Sequence, residues 1–410
     1  MEYRHETLDN GLTVLAELNP NVHALALGFF VRTGARDEFA DIGGVSHFLE
    51  HMVFKGTAKR TAEDVNRELD EMGSRSNART GEDHTIYHAA ALPEFQSRLV
   101  ELFADILRPS LRDDDFQTEQ QVIKEEILMY DDQPPYGGHE RIMAEYFGSH
   151  PLAQSILGTV ETVGNLSPEQ MRDYFARRYA PNNICLAAAG NLDFDQLVRD
   201  AQRYCGQWQP QEVARPLHSV TPRFGTVWIH KPQSFQQYIL QLAPGPDLTA
   251  FDRYAVRILT SILGDDSGSR TFWEFLDTGL AEAAGIGNYE YDDTGVIMSF
   301  LCCEPDRARA NLERLGELQA NAVKQPITQR ELDLAKSKIS AQIILASERT
   351  ENRMFSTGGQ WLRNQEFKSP QEIAERYQAV TLEDIHAAAE TYSLSPNMTV
   401  LVGPLPESTW

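Results

Sequence analysis

A chain of 410 residues, 41% of them hydrophobic, can bury a large core and is too long for one ordinary core, so two or more domains are expected. It has no apolar run of about 18 residues and its charged start (Glu2-Tyr3-Arg4-His5) does not resemble a secretory signal, which points away from a membrane span and toward a cytoplasmic protein. A formal charge of −23 repels polyphosphate, so nucleic acid is not an expected partner, while basic ligands would be attracted.

The pattern opens on strands. Thr13 to Glu17 follows the turn-like Asp9-Asn10-Gly11, and His23 to Val31 is a largely apolar run. Gly43 to Gly56 reads as a short helix, with Gly44 in the loop before it, Ser46 as its possible cap and Gly56 past its last apolar residue. Thr61 to Met72 begins with a capping-box arrangement and continues as a helix. Ser76 to Ala91 forms a hairpin turning near Gly81-Glu82-Asp83. Glu94 to Leu107 and Asp115 to Met129 carry apolar residues at helical spacing.

Gly206 to Arg223 is rich in Gln and Pro and lacks apolar periodicity, as a linker does. The expected domains are therefore residues 1–207 and 223–410, joined by 208–222. Each closes on a similar passage. Leu166-Ser167-Pro168-Glu169 leads to Tyr179, Pro181-Asn182, an apolar strand and Gly190; Val380-Thr381-Leu382-Glu383 leads to Tyr392, Pro396-Asn397, an apolar strand and Gly403. Two related α+β halves follow from this repeat. Tyr254 to Leu263 is a plain amphipathic helix, and Cys185, Cys205, Cys302 and Cys303 form no C-x-x-C pair, so buried free thiols are expected.

The chemistry is concentrated in Ser46-His47-Phe48-Leu49-Glu50-His51-Met52. On a helix His47 and His51 lie one turn apart, and Glu50 projects from nearly the same face. Buried polar groups need partners, and a metal satisfies all three. Imidazole and carboxylate suit Zn2+, which in catalytic sites takes three protein ligands and leaves a place for water. A neighbouring carboxylate can then accept the water's proton, which makes Glu50 the candidate base.

His47-x-x-Glu50-His51 matches the inverted zinc motif of the inverzincins. With Leu8-Asp9-Asn10-Gly11, Gly34-Ala35-Arg36-Asp37-Glu38, Asn77-Ala78-Arg79-Thr80, Thr85-Ile86-Tyr87 and Pro181-Asn182-Asn183, the first half resembles the insulinase/pitrilysin metallopeptidases, particularly the short members related to mitochondrial processing peptidase. The resemblance implies an α+β fold of two homologous domains, each a mainly antiparallel sheet with helices on one face. It implies a zinc endopeptidase that hydrolyses unfolded peptides inside a chamber closed by a homodimer or by a heterodimer with a related chain. It makes Glu126, 75 positions after His51, the third ligand in preference to Glu125, and Glu119 a support for the ligands. Asn77, Ala78, Arg79 and Thr80 become an exposed edge strand to which a peptide adds. Relatives bring a substrate-binding arginine and tyrosine from the second half, where this chain reads Leu276 and Glu282. A partner chain could supply that pair, or Tyr289 or Tyr291 could replace the tyrosine. The alternative function is a non-catalytic or partner-dependent subunit of a processing-peptidase-like heterodimer.

Overall fold

The computed structural model describes residues 2–410. The chain begins with β1 (Glu2–Thr7), β2 (Thr13–Leu18) and β3 (Leu25–Val31), then folds into α1 (Val45–Val53) and α2 (Ala62–Glu71). The hairpin of β4 (Arg75–Thr80) and β5 (Thr85–Ala91) leads to α3 (Gln96–Ile106), α4 (Asp113–Asp132) and α5 (Pro134–Phe147). Next come α6 (Val160–Asn165), α7 (Pro168–Arg178), β6 (Ile184–Gly190) and α8 (Phe194–Cys205). The second half contains β7 (Gly225–His230), β8 (Gln237–Gly245), α9 (Arg253–Gly264), β9 (Ala283–Glu290) and β10 (Gly295–Cys303). It continues through α10 (Ala308–Lys324), α11 (Gln329–Ser347), α12 (Thr350–Asn364), α13 (Pro370–Ala379) and α14 (Leu382–Thr391) to β11 (Met398–Gly403).

Two mainly antiparallel sheets result, ordered β1-β2-β6-β3-β5-β4 and β7-β11-β8-β10-β9. Without β1 the orders are the same, strand for strand. Each sheet contains one parallel pair, β2 with β6 and β7 with β11, and each pair includes the strand that closes the repeated passage. The helices of that passage begin alike, since Ser167 and Thr381 both accept the N3 backbone N–H as N-caps. The repeat seen in the sequence is thus one topology used twice.

The compact units do not follow the expected division at 207 and 223. One comprises residues 1–128, 154–216 and 345–368, and the other 129–153, 217–344 and 369–410. The reason lies in α5 and α12, each of which packs with the sheet built by the opposite half of the sequence. In the first unit Phe29, Tyr87 and Leu186 face a core shared with α1, α3 and α4. On the other face Phe30, Ile86, Ala187 and Ala189 meet Met354 and Phe355 of α12. In the second unit α5 supplies Ile142 and Met143 to the face formed by Leu240, Leu242 and Val400. Each sheet therefore has its main helical layer on one face and a single borrowed helix on the other.

The expected linker is also divided. Arg215 Nε donates to Asp37 Oδ1 at 2.9 Å, holding its segment to the first unit, whereas the His218 backbone N–H donates to Asp293 Oδ2 at 3.2 Å in the second. All four cysteines are buried free thiols.

Beneath α12 the Arg353 guanidinium forms a two-pronged pair with Glu17 of β2, with Nε to Oε1 at 2.8 Å, and both residues are buried. Removing one member of such a pair strands the other charge in a low dielectric. Arg353→Met is expected to lower stability by about 3–5 kcal/mol, read as a fall in the urea midpoint of the first unit. An unchanged midpoint would mean that water reaches Glu17.

Candidate metal site

The site is built on α1, whose Val45, Phe48, Leu49, Met52 and Val53 enter the core at helical spacing. That leaves His47, Glu50 and His51 together on the remaining face. Gly44 precedes the helix with φ +92°, and a Cβ there would lie 2.5 Å from the Leu157 carbonyl oxygen, so only glycine fits. Ser46 is not the cap. Its hydroxyl pairs with Tyr174 at 2.7 Å, and the free N–H groups of Gly44 and Ser46 donate instead to the Glu38 carboxylate at 2.6 and 2.7 Å. A longer-range acid thus serves where a local hydroxyl was expected. Burial pushes the Glu38 carboxyl up to about 8, against the pull of those N–H groups.

α4 lies against α1 through Phe116, stacked on Phe48 with ring centroids 4.5 Å apart. Glu119, Ile123 and Glu126 follow on about the same face, because seven residues make nearly two turns. The packing brings Glu126 Oε2 to 3.9 Å from His47 Nε2 and 3.7 Å from His51 Nε2. One donor atom from each of the three lies within 4.8 Å of the other two, and no other such group of three occurs among the described residues. Glu125, one position away, is exposed.

Glu119 Oε2 accepts from His51 Nδ1 at 3.0 Å, which turns the Nε2 lone pair toward Glu126. The other Glu119 oxygen is 2.6 Å from Lys55 Nζ. Lys55 was not foreseen from the sequence, although it stands four residues after His51, in the turn that follows α1. His47 is 8% exposed and its buried Nδ1 has no hydrogen-bond partner among the described residues. Burial and the neighbouring His51 bring its pKa down to about 3, so the imidazole stays neutral with a lone pair to offer.

Glu50 is in place beside these donors, held by the Thr80 hydroxyl, which donates to its Oε2 at 2.6 Å. Burial raises the Glu50 pKa and the Thr80 hydrogen bond opposes the rise. Asn77, Ala78, Arg79 and Thr80 all lie on β4, at the end of the sheet, so its outer edge is unpaired among the described residues. The Thr80 side chain is committed to Glu50, which leaves its backbone for the strand addition expected at this edge.

In the second half Leu276 ends a π-helical turn, Phe272–Leu276, and packs against the core. Glu282 accepts from Gln236 Nε2 at 2.6 Å. Tyr291 is buried, while Tyr289 on β9 is 48% exposed.

This arrangement can hold a divalent cation. Tetrahedral zinc with bonds of about 2.0–2.2 Å wants donor atoms about 3.3–3.6 Å apart, and the two histidine–glutamate separations approach that spacing.

The sequence profile of the insulinase family, peptidase family M16, matches residues 13–160, and that of the peptidase M16 inactive domain matches residues 165–339. A zinc protease of Mycobacterium leprae is 31% identical over 97% of this chain and 91% of its own. The zinc protease YmxG of Bacillus subtilis is 29% identical over 97% of each chain. A Helicobacter pylori protease superposes with a TM-score of 0.91 at 22% identity, covering 98% of this chain and 99% of its own. An M16 inactive-domain structure from Pseudomonas fluorescens gives 0.92 at 19% identity over 99% of each chain; at these identities both likenesses establish the fold alone.

Proposed function

Because this chain belongs to the insulinase family of peptidases, M16, we propose that it is a zinc-dependent endopeptidase acting on unfolded peptides. The convergence of His47, His51 and Glu126 beside Glu50 carries this reading. These three residues would hold the ion through two neutral imidazoles and one carboxylate, with Glu119 orienting His51. Zinc, when bound, makes water more acidic and polarises a carbonyl. Glu50 would take the proton from the attacking water on its carboxylate and deliver it to the departing amine. Thr80 fixes the Glu50 rotamer, so that proton transfer needs no search. The open edge of β4 would bind the peptide through backbone hydrogen bonds, which gives broad tolerance of sequence.

Catalysis would belong to residues 1–207 and a non-catalytic role to residues 223–410, of which 223–339 fall within the inactive-domain match. It extends to a dimer enclosing the substrate, and to a cytoplasmic setting, which the buried free thiols support. No helix among the described residues is long and apolar enough to cross a membrane.

Zinc content and cleavage of a quenched unfolded peptide by the purified chain test the reading, with loss in chelator and recovery on zinc as the expected result. A chain that binds no zinc overturns it. One observation favours a second reading, a partner-dependent subunit: Leu276 and Glu282 offer no cationic or phenolic donor. On that reading the zinc-loaded chain is silent until a related second chain is added.

Lys55 should act through Glu119. Lys55→Met is expected to weaken zinc binding about tenfold, measured by competition with a chromophoric chelator. Unchanged affinity would show that Glu119 is positioned without it.

A further inference from the structure

We propose that Arg79 selects an acidic side chain in the bound peptide. This rests on the peptidase reading and names the substrate class of the same site.

Side chains alternate along β4. Thr80 reaches Glu50, and Ala78 packs against the core shared with α1, so both face the metal side of the sheet. Arg79 and Asn77 therefore face the other side, beneath which lies α12. There the Arg79 guanidinium sits 4.9 Å above the centre of the Phe355 ring. Phe355 is held in turn by His88 at 4.8 Å and Phe30 at 6.2 Å, both edge-on. The ring supplies no hydrogen-bond acceptor, so this contact leaves the N–H groups of the guanidinium available. Among the described residues Arg79 has neither a carboxylate partner nor a hydrogen-bond acceptor, and it is exposed. Arg75, four positions earlier and on the same face, is exposed and likewise unpaired among the described residues.

In a chain with 60 acids and 37 bases, two arginines without acidic partners on one face of a free edge strand form a local exception. The ring beneath Arg79 fixes its guanidinium, so little side-chain freedom remains to be lost on binding. A strand added to β4 places every second side chain on the Arg79 face, with a directly opposite residue about 5 Å away between Cβ atoms. Aspartate or glutamate there completes a forked, charge-assisted pair, whereas lysine or arginine meets a like charge. The net charge of −23 acts over the whole surface and would by itself favour basic peptides; Arg79 sets the choice at one register position.

The test uses the zinc-loaded full chain and a quenched peptide with Gln around its cleavage site, replaced one position at a time by Glu or Lys. At one position the native chain should prefer Glu to Lys about tenfold in kcat/KM. Arg79→Glu should invert that ratio, and Arg79→Lys should keep its sign with a smaller value. The same peptides, fluorescently labelled, are titrated onto the Glu50→Gln chain to give the ratio as binding alone. Cleavage with Glu and Lys treated alike at every position, or a preference that Arg79→Glu leaves intact, overturns the proposal. Acid-selective binding without any cleavage by the native chain would support the role of Arg79 and overturn the hydrolytic reading instead.

Discussion

Glu50→Gln is expected to cut kcat/KM by about 10²–10⁴-fold while leaving zinc content unchanged. Glutamine keeps the size of the side chain and an oxygen that can accept from the Thr80 hydroxyl, whose bond to Oε2 is 2.6 Å in the native chain. What it loses is a group that can take and return a proton. His47, His51 and Glu126 remain, so the ion should remain. Metal analysis and peptide cleavage on one preparation of the variant check both halves of the statement. Loss of zinc together with activity would make Glu50 a ligand, and unchanged turnover would move the base elsewhere.

The second large effect concerns the ligand from α4. Glu126→Gln should weaken zinc binding by about a hundredfold or more, because a neutral amide replaces the one charged donor among two imidazoles. Glu125→Gln is the matched control. That side chain is exposed and lies about 100° round the helix from Glu126, so zinc affinity should be unchanged. Competition with a chromophoric chelator measures both. If Glu125→Gln removes the ion and Glu126→Gln does not, Glu125 is the ligand and α4 presents a face one residue away.

Much of the site is legible in the sequence because its signals are local. The spacing of His47, Glu50 and His51 is a property of one helical turn and survives whatever α1 packs against. The placing of Glu126 came from resemblance, since nothing between residues 52 and 125 indicates which carboxylate will return to α1. Ser46 shows how a local rule fails: its hydroxyl is drawn to Tyr174, 128 positions away, and Glu38 takes over the helix end. Lys55 was visible as a residue four beyond His51, but its meaning depends on a Glu119 side chain that only packing brings near.

The division into units shows the same boundary. Strand alternation, capping residues and the doubled passage ending at Gly190 and Gly403 are written in stretches of at most a few tens of residues, and the sequence by itself determined two like sheets and one polar helix face. Tertiary structure alone decided that α5 and α12 would each cover the sheet of the opposite half, that Arg353 would meet Glu17, and that Phe355 would lie under Arg79. Hydrophobic periodicity states that a face will be buried without naming what buries it, because apolar attraction has no direction. The choice among possible partners is made by shape and by the few buried charges that must find each other.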